Sequence, residues 1–291
     1  MRRRRYLALA GTSLTTLGGC LSDTGTDAGE SSTPTSQSTT ETSPPTEDTA
    51  TPTANRSVSV RFDALQPALV RLNTDAFYID TGDSSSLFLD IRVDGDPLSR
   101  DEFSFALAGE SHAPWSEETA NRFFRFDDRE GYSTESGTGL LVFELPRGVD
   151  PPLPEATLQW PDGEWSPDDE LRRRLGAAPP ELSLSVDAPG TLEVGTAPSF
   201  RLSVTNEGNV PGRFIAGLNR SGLKYASYAL EKFSTLVPDG ETTTIEYTDE
   251  SITGEEVATE ARGDGEHDVE YDFVTVRGTI GQDIAYDAPE T

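Results

Sequence analysis

The chain has 291 residues, with 23 basic against 51 acidic side chains for a net charge of −28. A balance of that sign excludes nucleic acid as a partner, because phosphate recognition needs a basic face. One cysteine (Cys20), two histidines (His112, His267) and a single methionine, Met1, exclude a disulfide framework, a four-ligand zinc site and a His₂Cys copper centre.

Residues 1–19 open with Arg2–Arg5, followed by a weakly apolar run from Tyr6 to Gly19. The run is shorter than the roughly 20 apolar residues that a spanning helix needs. A basic start, a short apolar centre and small residues at the end predict an export signal. Arg3-Arg4-Arg5-Tyr6-Leu7 resembles the twin-arginine export motif, with Arg3 and Arg4 as the pair. Arg2 and the lack of a polar residue after Leu7 depart from it, which leaves the general secretory route open. Leu17-Gly18-Gly19-Cys20 resembles a lipobox, which implies cleavage before Cys20 and lipidation of that cysteine. The predicted partner at this end is therefore the membrane, reached through a lipid anchor on its extracellular face.

Residues 20–55 are predicted to form a disordered stalk. Half of the 34 residues in 21–54 are serine or threonine, six are acidic and none is basic. Such a segment buries too little apolar surface to offset its ordering entropy, and as a coil it spans roughly 30–35 Å. Its composition suits either a plain linker or an O-glycosylated spacer. Asn55-Arg56-Ser57 and Asn219-Arg220-Ser221 match the N-glycosylation pattern, making Asn55 and Asn219 candidate acceptors. Loss of the four leader arginines takes the net charge from −28 to −32, and only Lys224 and Lys232 are lysines. An acid-rich, lysine-poor chain with such a stalk resembles exported proteins of extreme halophiles. At 1 M salt the Debye length is about 3 Å, so the self-repulsion of such a surface is screened.

Residues 56–178 alternate with period two. Val58-Val60-Phe62, Leu87-Leu89-Ile91-Val93, Phe103-Phe105-Leu107, Phe124-Phe126, Leu141-Phe143-Leu145 and Leu158-Trp160 each predict a strand. Turns are predicted at Asp94-Gly95-Asp96-Pro97 and Pro161-Asp162-Gly163. Ser166–Gly176 predicts a short helix, with Ser166 as N-cap, Pro167 at N1, acids in the first turn and the Arg172–Arg174 triplet complementing the C-terminal dipole. Through Leu87–Val93, Asp101–Phe105 and Leu140–Pro146, the stretch from Ser86 to Trp165 resembles immunoglobulin-like domains of surface lipoproteins of unknown function.

Pro179-Pro180 predicts a hinge to a second unit over 179–291. Leu182-Leu184-Val186, Phe200-Leu202-Val204, Phe214-Ala216-Leu218 and Thr243-Ile245-Tyr247 repeat the alternation, and Val269–Val276 supplies a closing strand. "VGTAPSFRLSVTNEGNVPGRFIAGLN" followed by "LVPDGETTTIEYT" resembles cell-adhesion-related immunoglobulin-like modules of archaeal and bacterial surface proteins. The expected fold class is all-β: two tandem antiparallel immunoglobulin-like sandwiches after a disordered stalk.

No catalytic constellation emerges. A G-x-S-x-G elbow is missing, since Glu135-Ser136-Gly137 lacks a glycine partner at the right spacing. Carboxylates are spread along the whole chain, so no pair stands out for glycoside hydrolysis. Asp94-Gly95-Asp96 and Asp264-Gly265-Glu266 are acidic turns that leave calcium open without matching an EF-hand. Trp115, Trp160 and Trp165 are predicted to fill cores rather than to stack sugars. The expectation is a non-catalytic surface protein without cofactor, binding an envelope protein or glycan or contributing to envelope structure. The alternative is a ligand- or carbohydrate-binding lipoprotein serving a transporter or surface enzyme.

Overall fold

Alternating apolar residues at Val58, Val60 and Phe62 build β1 (Arg56–Gln66), the first strand of the computed structural model, which describes residues 55–125, 127–222, 225–252 and 268–287. A hairpin of β2 (Leu69–Asn73) and β3 (Ala76–Asp80) follows, then the long β4 (Ser84–Gly95). The half is completed by β5 (Ser104–Leu107), β6 (Glu110–His112), α1 (Glu117–Phe124), β7 (Thr138–Pro146), β8 (Ala156–Trp160), β9 (Gly163–Trp165) and α2 (Asp169–Gly176). An antiparallel sheet in the order β1-β4-β7 faces another in the order β6-β5-β8-β9. Leu87, Leu89, Ile91, Leu141 and Phe143 project between them onto Phe103, Phe105 and Leu158. The chain turns out of β4 at Gly95, whose φ of 102° suits glycine.

The predicted strand at Phe124-Phe126 is corrected by α1, a helix that ends at Phe124; Phe126 lies outside the described residues. Ser116 caps α1 by accepting from the Thr119 N–H at 3.3 Å, and Glu117 and Glu118 occupy the first turn. Its buried residues, Ala120, Phe123 and Phe124, have the i, i+3, i+4 spacing of one helical face. That face covers Phe88, Leu140 and Val142 on the outer side of the β1-β4-β7 sheet, together with Trp115. Because β4 is buried on both faces, its centre reads as a nearly continuous apolar run. The second predicted helix forms, but its N-cap is Asp168, whose Oδ1 accepts from the Leu171 N–H at 2.8 Å. A cap requires extended backbone one residue before the helix, and Asp168 (φ −67°, ψ 169°) has it, so Ser166 and Pro167 lie outside.

The second half contains β10 (Leu182–Asp187), β11 (Thr191–Glu193), β12 (Ser199–Asn206), β13 (Gly212–Gly222), β14 (Tyr225–Val237), β15 (Thr242–Thr248), β16 (Val269–Thr275) and β17 (Gly278–Asp287). Sheet β10-β12-β15 packs on sheet β11-β17-β16-β13-β14, in which only the β11–β17 pair is parallel. Phe200, Leu202, Phe214, Leu218, Tyr271 and Phe273 form the core between them. β16 occupies the predicted closing strand, and β17 extends the sheet beyond it. Asn206 closes the turn after β12: its Oδ1 accepts from the Gly208 N–H at 2.9 Å, while Nδ2 donates to the Val210 and Val237 carbonyls. The hairpin turn before β15 places Gly240 at φ 68°.

Tyr286 is buried in this core, and its hydroxyl has no hydrogen-bond partner among the described residues. Burial, reinforced by the Asp249 charge, pushes the phenol up to about 12. A raised folded-state pKa makes the neutral phenol's contribution complete below the unfolded value of 10.0 and lost as pH rises through 12. Thermal melts should therefore be insensitive to this group below pH 10 and fall between pH 10 and 12, and Tyr286→Phe should flatten that fall. An identical alkaline profile in the Phe variant would rule this residue out as the cause.

Candidate functional site

β13 is buried on both faces. Phe214, Ala216 and Leu218 enter the second core, whereas Ile215, Gly217 and Asn219 turn to the first half. There they receive the β2–β3 hairpin. The Asn219 Oδ1 accepts from the Phe77 N–H at 2.6 Å, and its Nδ2 donates to the Phe77 carbonyl at 2.9 Å. One side-chain amide thus imitates the pairing of a neighbouring strand. At Gly217 a Cβ would lie 2.4 Å from the Phe77 Cβ, so only glycine admits the hairpin at this distance. Charges continue the seam. Arg129 pairs with Asp63 and with Asp127, each at 2.8 Å, and Lys232 from β14 reaches Asp127 at 3.6 Å. Burial alone would raise the Asp127 carboxyl, but hydrogen bonds from Arg129 and the charges of Arg129 and Lys232 hold it below the usual aspartate range.

Beside this seam lies a cavity of about 590 Å³. Leu65, Pro67 and Leu145 line it from the first half, Pro179 and Pro180 from the connection, Leu182 from β10, and Phe214 and Ile215 from β13. Four arginines (Arg147, Arg174, Arg213 and Arg277) line it against one acid, Glu181. Arg277 is paired with Glu181 at 2.9 Å, and Arg147 donates to the Pro67 and Ser84 carbonyls. Arg174 differs from them. It is 8% exposed, its guanidinium lies over the Phe62 ring at 5.2 Å, and its Nε has no partner among the described residues. Burial pushes its pKa down and Arg213 pushes it further, while Glu170 and Asp168 act weakly the other way. Arg213 donates to Ser234 Oγ at 3.1 Å, but its Nε is also unpartnered, and burial lowers its pKa too.

The predicted site residues scatter. Cys20, Arg3, Arg4, His267, Asp264-Gly265-Glu266 and the stalk lie outside the described residues. Asn55 is exposed at the start of β1. Asn219 is 7% exposed with both amide atoms engaged, and in the folded chain it serves as the clasp on Phe77. Pro179-Pro180, predicted as a hinge, packs into the cavity wall, and Pro180 sits where a Cβ on Gly208 or Gly212 would fall. His112 closes β6. Trp115 is buried with its Nε1 donating to Glu144 at 3.0 Å, and Trp160 and Trp165 pack against the first core. Among the described residues no group of three or more His, Cys, Asp or Glu side chains could hold a metal, and no helix is long and apolar enough to cross a membrane. Composition concealed Arg174, because an arginine at a helix end already has a dipole explanation.

No family model matches the chain, and no curated protein does. Among solved structures, a β-glucosidase from Listeria innocua in complex with isofagomine aligns at 8% identity and a TM-score of 0.28, over 38% of this chain and 17% of that one. The same enzyme in complex with gluconolactone aligns at 11% identity and a TM-score of 0.28, over 56% of this chain and 22% of that one. The chain therefore spans about a fifth of the length of these structures, and a likeness so partial carries no argument.

Proposed function

We propose that this chain is a non-catalytic binding protein of the extracellular face of the cell membrane, tethered at Cys20 and carrying its two sandwiches at the end of the stalk. The cavity carries this reading. Ligand pockets form preferentially where two folded cores meet, and this one offers cations and apolar surface. Its lining contains no histidine or cysteine, and its single carboxylate is spent on Arg277. General acid–base or nucleophilic chemistry needs a base within hydrogen-bond reach of the reacting group. The cavity also favours ligand binding over a purely structural envelope role. The inward placement of all three tryptophans argues against a sugar-stacking face.

Two measurements test this reading. Mass spectrometry of the envelope fraction should find the N-terminus at Cys20 carrying lipid, and Cys20→Ser should release the protein to the medium. A Cys20→Ser chain that stayed in the membrane would overturn the tether. Native mass spectrometry of the wild-type protein should retain a small-molecule mass, and an unliganded spectrum would count against binding.

A further inference from the structure

We infer that the seam cavity binds an amphiphilic anion, a single carboxylate or phosphate head on an apolar body, with Arg174 and Arg213 holding the head. The inference rests on the binding reading above and names its ligand class. The first observation is the solitary guanidinium. A buried charge without a counter-charge costs several kcal/mol in general, and Arg174 is more than nine-tenths buried, with its Nε unpartnered and no ion pair to it among the described residues. The second is that a like charge lines the same cavity and acts on it. Arg213 also reaches the cavity, with an unpartnered Nε of its own. Two desolvated guanidiniums in the wall of one cavity repel, an anion between them relieves that repulsion, and the planar fork of arginine matches carboxylate and phosphate oxygens.

The acids whose charge reaches the two arginines do not fill that role. Glu170 is exposed and forms no ion pair with Arg174, Asp168 Oδ1 is committed to the helix cap, Glu181 to Arg277, and Asp63 to Arg129. The third observation is the remainder of the wall, where Leu65, Leu145, Leu182, Phe214 and Ile280 offer apolar surface and few donors. A bare inorganic anion would leave that surface wet, and a neutral apolar molecule would leave the two arginines uncompensated. In a chain of net charge −28, a cation-lined cavity also sets such a ligand apart from the surrounding repulsive field.

The test uses the mature-length chain with Cys20→Ser, titrated calorimetrically in molar salt with octanoate, monooctyl phosphate, octan-1-ol and inorganic phosphate. Octanoate or monooctyl phosphate should bind saturably, and which of the two binds better identifies the head. Octan-1-ol and inorganic phosphate should each bind at least about tenfold more weakly, a factor equivalent to 1.4 kcal/mol. Arg174→Met should weaken the anions by about the same factor without changing octan-1-ol. The ligand-free variant should melt no lower than the parent, because it loses a buried unpaired charge. Arg213→Met carries the same expectation should Arg174→Met fail to fold, and Arg92→Met, at an exposed pair with Asp94, should change nothing. Equal binding of octan-1-ol, equal binding of inorganic phosphate, unchanged affinity in the arginine variants, or no saturable binding at millimolar concentration would each overturn the inference. A neutral molecule retained by the native protein would overturn the anion while leaving the binding reading intact.

Discussion

Asp249→Ala is expected to destabilise the chain by about 3–5 kcal/mol, the usual cost of removing one partner of a buried ion pair. Asp249 and Arg220 are 2% and 5% exposed and lie 2.6 Å apart. The carboxylate also accepts from the Tyr271 hydroxyl at 2.9 Å and from the Ser251 backbone N–H at 3.0 Å and its hydroxyl at 2.5 Å. With the carboxylate gone, the Arg220 guanidinium stays in a low-dielectric site and the Tyr271 hydroxyl loses its acceptor. Such a loss corresponds to a Tm decrease of roughly 6–20 °C for a body of this size. Asp249→Asn keeps the shape and some acceptor capacity, so it should fall between the two. The double variant Arg220→Met/Asp249→Leu should recover most of the loss, since apolar replacement of both partners is often neutral or better. An Asp249→Ala chain melting within about 1 kcal/mol of the parent would show that water reaches the pair and screens it.

The strands were legible from their period-two burial, whereas the site was not. Period-two patterns at Leu87–Val93, Leu141–Leu145, Phe200–Val204 and Phe214–Leu218 reported one buried face each, and the structure places those residues in the two cores. Pattern reading fails where both faces are covered. In β13 the inward series Phe214, Ala216, Leu218 was visible, but the intervening Ile215, Gly217 and Asn219 carried equal information about what lies on the other side. Asn219 sits in a sequon, which invited a surface reading, yet a glycosylation pattern three residues long contains nothing about burial. Phe124-Phe126 invited a strand because two aromatics two apart fit period two; the competing triplet Ala120, Phe123, Phe124 with Ser116 as cap fits a helix better. Two of the cavity arginines, Arg174 and Arg213, come from α2 and β13, 39 positions apart in sequence, and only tertiary packing brings them to one cavity.

Gly217→Val is expected to open the seam while leaving both cores folded. The glycine has no positive φ to protect, so valine is tolerated by the backbone of an extended strand, and the cost is purely steric. Its Cβ would stand 2.4 Å from the Phe77 Cβ and 3.1 Å from the Phe77 Cγ, and the β-branch adds atoms where Val70 already lies. Overpacking of this kind costs about 1–3 kcal/mol when neighbours can yield. Here the neighbour that yields is the β2–β3 hairpin, since a two-stranded hairpin is marginal without a surface to rest on. Its displacement breaks the Asn219 clasp on Phe77 and exposes Ile215. Amide exchange should therefore accelerate at Phe77 and along β3, while Leu89 in β4 and Phe273 in β16 keep their protection. Asn219→Ala should produce the same pattern more weakly. It leaves the Phe77 N–H and carbonyl unpaired, at about 1–3 kcal/mol, without forcing the hairpin away. If Gly217→Val also weakens anion binding, the cavity depends on the closed seam, because Ile215 on the same face of β13 lines it. Unchanged protection at Phe77 in the valine variant would mean that the two halves meet less closely than 2.4 Å at Gly217 implies.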